Sequence, residues 1–215
     1  AMQSWLLLLA LGSLLYGALL AWRQQDLKGM VAYSSISHMG VVLLGIAALN
    51  PAGFNGALLQ MVAHGLAAAL LFLIVGLLYR RTHRRDLADY GGLYGLAPRF
   101  AFFIAFGLLA AIGLPGSAGF VAELHVLYGA YGRWGFAVVA LGIAMLVAAA
   151  YGLRVIGRFC QPAPAGAELA DLTRSETVAA SLLALAIVLL GVWPTPLLTL
   201  VGGSTARLAA LFAGS

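Results

Sequence analysis

Residues 99–131 read RFAFFIAFGLLAAIGLPGSAGFVAELHVLYGAY, an apolar stretch of 33 residues with one acid, Glu123. A single straight membrane-spanning helix needs only about 20 residues at a rise of about 1.5 Å each. The middle of the stretch holds GLPGS at 113–117, where Pro115 lacks a backbone donor and clashes with the preceding turn. The stretch therefore predicts a membrane-spanning helix that is broken near Pro115.

The predicted break, formed by Gly113, Pro115 and Gly116, is also a candidate functional element. A broken helix leaves unpaired N–H and C=O groups, which a membrane tolerates only where protein or water covers them. Discontinuous helices of this kind recur at the ion sites of transporters. A simple packing kink is the alternative, but the nearby Glu123 favours a functional break.

The rest of the chain is equally apolar, with 63% hydrophobic and 9% charged residues and a mean hydropathy of +1.00. This composition excludes a soluble domain. The long apolar segments lie at about 2–22, 28–49, 54–79, 99–131, 134–158 and 177–193. A short glycine-rich stretch at 196–213 either lies along the interface or finishes a span. We predict an all-α polytopic membrane helix bundle of six to seven transmembrane helices, forming one domain over 1–215.

The basic residues lie mostly on one side of this bundle. Ten of the twelve lie in three loops on one side: Arg23 and Lys28; Arg80, Arg81, Arg84, Arg85 and Arg99; Arg154, Arg158 and Arg174. This asymmetry is the positive-inside pattern, so these loops are predicted to face the cytoplasm. The net charge of +5 then reflects topology and not nucleic-acid binding. The lone cysteine, Cys160, excludes an internal disulfide and offers no metal-binding motif.

Three ionisable residues fall near the middle of the predicted spans: His38, His64 and Glu123. Each is about eight to ten residues, or about 12–15 Å, from a predicted membrane surface. Ionisable groups at this depth are costly and usually face a protein interior or a water path. Histidine changes its charge near neutral pH, and an isolated carboxylate must find a partner or take up a proton. These groups therefore suit proton transfer.

Neighbouring residues extend this set, and each has a structural alternative. Lys28 shares a helical sector with His38, although it could simply extend to the membrane surface. The alternative for His38 is a neutral imidazole bonded to a serine, and for His64 a hydrogen bond to Gln60. His125 points away from Glu123 and is interpreted as a structural donor. The chain has no phosphate loop, metal motif or dinucleotide fingerprint, so a gradient or a partner must supply the energy.

Several motifs resemble the antiporter-like subunits of respiratory complex I and the related Mrp-type cation/proton antiporters. They are DLKGMVAYSSISHMG at 26–40, QMVAHGL at 60–66, RTHRRD at 81–86 with GGL at 91–93, and GLPG at 113–116 with GFVAE at 119–123. The resemblance runs over nearly the whole chain. Within this family, two complex I siblings carry lysine at the position of Glu123 and one carries glutamate, so the chain is similar to the glutamate-bearing sibling.

The resemblance implies about fourteen helices built around two inverted five-helix repeats. The chain would hold the second repeat, at about 1–159, with a final helix and tail at about 177–213, and would be a fragment or a split gene product. By analogy, Lys28, His38, His64 and Glu123 line the half-channel open to the periplasm, with Glu123 as its terminal site. The other half-channel would lie in the missing first half.

The function implied is proton translocation in a bacterial inner membrane, driven by NADH:quinone oxidoreduction in partner subunits. The chain itself would bind no cofactor or metal; NADH, FMN, iron–sulfur clusters and quinone would lie in those partners. Its expected contacts are neighbouring antiporter-like subunits and the lipid bilayer, and no nucleic acid. The alternatives are a Mrp-type sodium/proton antiporter subunit, a membrane subunit of a hydrogenase or of an inorganic-carbon uptake complex, and a purely structural bundle.

Overall fold

The computed structural model describes residues 2–163 and 168–212, and their regular secondary structure is entirely helical. The helices are α1 (Met2–Arg23), α2 (Leu27–Ala47), α3 (Pro51–Thr82), α4 (Leu93–Leu96), α5 (Pro98–Ala111), α6 (Ala118–Trp134), α7 (Ala137–Phe159), α8 (Arg174–Val192) and α9 (Thr195–Phe212), with a 3₁₀ turn at Leu87–Tyr90. The predicted all-α membrane bundle is confirmed. Parts of the predicted domain, loop and tail, namely residues 1, 164–167 and 213–215, lie outside the described residues.

Six of the described helices are long and apolar enough to cross a membrane: α1, α2, α3, α7, α8 and α9. Helix α3 is longer than the segment predicted at 54–79, because Asn50 caps its start and Pro51 occupies its first turn. The Asn50 side chain accepts the Gly53 N–H at 2.8 Å. Polar caps lie outside the apolar run, so hydropathy alone places this boundary too late.

Helices α1 and α2 pack with their backbones nearly in contact. A Cβ on Gly17 would lie 2.5 Å from the Ser37 nitrogen, and one on Gly40 would lie 2.5 Å from the Leu14 nitrogen. The Ser37 hydroxyl donates to the Leu14 carbonyl at 2.8 Å. Small residues of this kind allow the close approach that stabilises helix pairs in lipid. The pair therefore holds the α2 side chains in a defined orientation.

The break predicted near Pro115 is confirmed, since α5 ends at Ala111 and α6 begins at Ala118. Gly113 and Gly116 have φ of +79° and +92°, in the left-handed region that favours glycine. Ser117 caps α6 by accepting the Phe120 N–H at 3.4 Å. The helix axis is thus interrupted inside the bundle, and part of the backbone at the break is hydrogen-bonded to nearby residues.

A second break separates α8 from α9 at Trp193–Pro194. Pro194 and Pro196 have no N–H groups to donate back to residues 190 and 192. The two helices nevertheless run end to end along α3. Near the start of α8, Glu176 meets Arg81 at 2.6 Å. On α9, Thr205 donates to Asn55 at 2.7 Å.

The lengths of these helices agree with one shared crossing. From residue 55 to residue 81, α3 rises about 39 Å, and the helical parts of α8 and α9 between their two contacts also rise about 39 Å, apart from the short break between them. Residues 196–212, the described part of the stretch predicted at 196–213, therefore finish the span that α8 begins. The crossings of the bundle are α1, α2, α3, α5–α6, α7 and α8–α9.

The two breaks lie against each other. Gly191, one residue before the end of α8, faces the carbonyl groups of Gly116 and Ser117. A Cβ on Gly191 would lie 2.6 Å from the Gly116 carbonyl carbon, so only glycine fits without a shift. The two breaks therefore cover each other within the bundle. Irregular backbone of this kind is not tolerated where it is exposed to lipid.

The three basic loops meet at one end of the bundle, as the charge pattern predicts. Arg154, near the end of α7, donates to the Gln24 carbonyl at 2.9 Å. Leu27 donates its N–H to the Arg85 carbonyl at 3.1 Å. Arg99, at the start of α5, donates to the Leu172 carbonyl at 3.0 Å. These hydrogen bonds tie the loops together at the predicted cytoplasmic face.

Candidate functional site

His38 and His64 lie side by side on the antiparallel helices α2 and α3. Their ring centroids are 5.0 Å apart and the rings are tilted by 34°. His38 is 5% exposed, whereas His64 is half-buried. Counting along each helix predicts the same depth for the two imidazoles, and the structure places them in contact at that depth.

Gln60 lies beside His38 and not, as its spacing suggests, in a pair with His64. Its Nε2 atom is 3.4 Å from Nδ1 of His38. In this orientation the amide N–H donates to Nδ1, so a neutral His38 ring would carry its proton on Nε2. Among the described residues, the buried His38 Nε2 and Gln60 Oε1 atoms have no hydrogen-bond partner.

The serines near His38 do not bond to it. Ser34 and Ser35 donate to the Val31 carbonyl at 2.7 Å and 3.2 Å, and Ser37 donates to Leu14. The alternative in which a serine holds His38 as a structural imidazole therefore receives no support from these contacts.

Glu123 lies in α6, one and a half turns after the break, and is 4% exposed. Its carboxylate packs against Gly113, where an added Cβ would overlap Oε2 and lie 3.4 Å from Cδ. Within the described part of the chain, Oε2 is buried without a hydrogen-bond partner. The break thus provides the space that the carboxylate occupies, and the predicted association of Glu123 with the break is observed.

A small cavity is lined by both His38 and Glu123. Its walls include Ser37, His38, Ile112, Glu123 and Met145, and its volume is about 10 Å³. This is close to the space that one water molecule requires. The His38 imidazole and the Glu123 carboxylate belong to different helices. Both therefore border one cavity, which is about the size of a water molecule.

Tyr151 of α7 also belongs to this group, and our sequence reasoning missed it. It is buried, and its hydroxyl lies near Ser34 and the Glu123 carboxylate. A single tyrosine within the long apolar part of α7 is a detectable feature. Composition alone does not show which way the hydroxyl points, however, because that depends on how α7 packs.

Two other sequence candidates lie outside this group. Lys28 is exposed in the first turn of α2, and no described hydrogen bond or ion pair joins its ammonium group to His38, His64 or Glu123. A role for Lys28 in proton transfer stays a prediction. His125 bonds the Val121 carbonyl through Nδ1 at 2.8 Å, which agrees with its interpretation as a structural donor.

A matched pair of glycines tests whether the break holds the carboxylate. Both Gly113 and Gly116 have positive φ, so alanine costs about 1–2 kcal/mol of backbone strain at either position. Only Gly113 contacts Glu123, whereas nothing lies within 4 Å of a Cβ at Gly116. We expect Gly113→Ala to impair the proton transfer predicted for Glu123 far more than Gly116→Ala does. Equal losses at matched protein levels would contradict a specific role for the Gly113 contact.

Comparison with known proteins agrees with this architecture. The profile of the family described as NADH:quinone oxidoreductase/Mrp antiporter, TM matches residues 1–148. NADH-quinone oxidoreductase subunit M of Rhodobacter capsulatus is 36% identical over 211 residues, which cover 96% of this chain and 41% of that protein. The chain therefore spans less than half the length of this curated relative.

Solved structures share the fold. A chain of respiratory complex I from Thermus thermophilus with bound NADH has a TM-score of 0.92 and 35% identity, over 97% of this chain and 44% of that one. A chain of the Mrp complex from Dietzia sp. DQ12-45-1b has a TM-score of 0.82 over 96% of this chain and 47% of that one. Its 21% identity supports the fold alone.

Proposed function

Since the chain belongs to the NADH:quinone oxidoreductase/Mrp antiporter transmembrane family, we propose that it forms part of a proton-translocating subunit of an NADH-quinone oxidoreductase. The observation that carries this proposal is the placement of His38, His64 and Glu123 around one buried contact and one cavity. The similarity to relatives named subunit M, the glutamate-bearing sibling, supports the same assignment.

In this proposal, protons pass between His64, His38 and Glu123. The two imidazoles are close enough to exchange a proton after small side-chain movements, because each has two ring nitrogens that can carry it. Gln60 holds Nδ1 of His38, which leaves Nε2 to receive or release the proton. The small cavity gives His38 access to the Glu123 carboxylate.

Glu123 is the proposed terminal site because it adjoins the break. Its carboxylate rests on Gly113, so a shift in the α5–α6 backbone changes the space around the charge. Such a shift alters whether the carboxylate is protonated. Movement of the break in one direction would cause Glu123 to take up a proton. Movement in the other direction would cause Glu123 to release it.

The energy for this cycle comes from outside the chain. Moving one charge against a membrane potential of 100 mV costs about 2.3 kcal/mol. We propose that partner subunits with NADH, FMN, iron–sulfur clusters and quinone supply it, and that this chain acts as a non-redox translocase. Neighbouring antiporter-like subunits are its proposed contacts, and a bacterial inner membrane its location. Residues 1–159 would form one five-helix repeat.

Replacement of His38 tests this pathway directly. We expect His38→Leu to lower NADH-driven proton uptake into sealed vesicles by at least about tenfold, because leucine cannot carry a proton. His125→Leu is the control, since that imidazole bonds Val121 on its own helix. It should leave uptake nearly unchanged. Equal activity in the two variants, at equal amounts of assembled complex, would exclude His38 from the pathway.

A sodium/proton antiporter subunit is the second candidate function, because the matching family also includes Mrp antiporters. The two functions differ in their coupling ion. Proton uptake that does not change between sodium-free and sodium-containing vesicles supports the oxidoreductase subunit. Uptake that requires a sodium gradient supports the antiporter.

A further inference from the structure

A cavity of about 330 Å³ lies at the basic end of the bundle. It is bounded by the turn between α1 and α2, the segment that follows α3, and the last turns of α7. Arg154 and Arg158 of α7 line it one helical turn apart, with Gln24 and Gln161 beside them. None of these side chains belongs to the group around His38 and Glu123.

Both guanidinium groups are fixed by neutral acceptors. Arg154 donates to the Gln24 carbonyl at 2.9 Å, and Arg158 donates to the Ala88 carbonyl and to the Gln161 amide oxygen. In the described part of the chain, neither arginine has a carboxylate within 4.0 Å. Asp86 also lines the cavity, but it is exposed and pairs with neither. The cavity therefore holds two adjacent positive charges without a paired counter-ion.

A second cavity at the same end shows the contrast. It measures about 300 Å³ and is lined by Arg81 and Arg84. Arg81 pairs with Glu176 at 2.6 Å, and Arg84 approaches Asp89 at 3.7 Å. The arginines of that cavity already have acidic partners, so the cavity beside Arg154 is the better anion site of the two.

An apolar stripe on α7 leads away from Arg154. Its members are exposed: Val139, Ile143, Leu146 and Leu153. At about 100° per residue, they fall with Arg154 within one sector of about 100°. A positively charged cavity at the membrane surface therefore continues into an exposed apolar surface at the depth of the hydrocarbon. This combination suits a ligand with a charged headgroup and apolar chains.

We propose that this cavity binds the phosphate group of an anionic phospholipid, with its acyl chains along the α7 stripe. Arg154 and Arg158 would pair with the phosphate, since guanidinium groups match its geometry and are weakly hydrated. Basic pockets between helices on the cytoplasmic side bind such headgroups in other membrane proteins. The amides of Gln24 and Gln161 add neutral hydrogen-bonding groups at its edge.

The probe is phosphatidylglycerol that carries a photoreactive group in its acyl chain, added to membranes containing the assembled complex. Cross-linked peptides of α7 are then quantified by mass spectrometry as the lipid concentration rises. We expect R154Q/R158Q to raise the half-saturating lipid concentration by roughly 30-fold, because two charges near the phosphate are lost. R154K/R158K keeps both charges and should restore most of the affinity.

The control is R80Q/R174Q, which removes two exposed arginines at the same surface but outside this cavity. It should leave the α7 cross-link unchanged. Cross-linking in R154Q/R158Q equal to that of the unaltered protein, or equal labelling by a phosphatidylcholine that carries the same photoreactive group, would overturn the proposal. Complete competition by soluble glycerol 3-phosphate would assign the cavity to a free anion. If another polypeptide shields the α7 stripe and no lipid cross-link forms, the stripe is a contact with a neighbouring subunit and the proposal is overturned.

Discussion

Glu123→Gln is expected to lower NADH-driven proton uptake by at least about tenfold while the complex still assembles. Glutamine has nearly the same shape as glutamate, so the packing against Gly113 is preserved. It cannot take up or release a proton, however, and the proposed pathway from His38 then lacks its terminal site. The measurement compares proton uptake with NADH oxidation in the same sealed vesicles.

Two further variants separate charge from shape. Glu123→Asp keeps a carboxylate but withdraws it by one methylene, so we expect partial uptake. Glu168→Gln removes an exposed acid from a loop and should have no effect. Uptake by Glu123→Gln at the level of Glu168→Gln would contradict the proposed role and would favour a purely structural bundle.

Gly191→Ala is expected to cause the largest loss of stability among the glycine variants. The added methyl group would meet the carbonyl group of Gly116 and the backbone of Ser117, which cannot rotate away as a side chain would. Overpacking of this kind costs about 1–3 kcal/mol. Because the affected backbone belongs to the break beside Glu123, proton uptake should fall together with stability.

Gly142→Ala provides the comparison. Gly142 is also helical, in α7, and nothing lies within 4 Å of a Cβ there. Alanine favours a helix more than glycine does, so this variant should be neutral or slightly more stable. The readout is the fraction of complex that stays assembled after graded heating in detergent. Similar heat sensitivity in both variants would show that the two breaks do not pack as described.

Much of this fold follows from hydropathy and proline chemistry. The apolar runs predict the crossings, and Gly113 to Gly116 predict the first break near its observed place. The second break has a similar local cause in Pro194 and Pro196. That α9 continues the crossing of α8 depends on the contact between Thr205 and Asn55. Such a contact, between residues 150 positions apart, is not encoded in a local pattern.

The candidate site shows the same division. Depth is a property of each helix alone, so counting places His38 and His64 at one level, and the 5.0 Å ring separation agrees. Rotation about the helix axis depends instead on neighbouring helices. For that reason the spacing of Gln60 suggests His64 as its partner, while the bundle turns it towards His38. The inward position of Tyr151 was hidden for the same reason.

The close packing of α1 on α2 limits where motion can arise during a transport cycle. Backbone atoms at Gly17 and Gly40 leave α2 no room to roll or slide against α1, and the Ser37 bond to Leu14 fastens the pair further. In the proposed pathway, His38, one residue after Ser37, is then the member that moves least. Changes in proton access would come from its neighbours, through rotation of the His64 ring or flexing at the Gly113 bend.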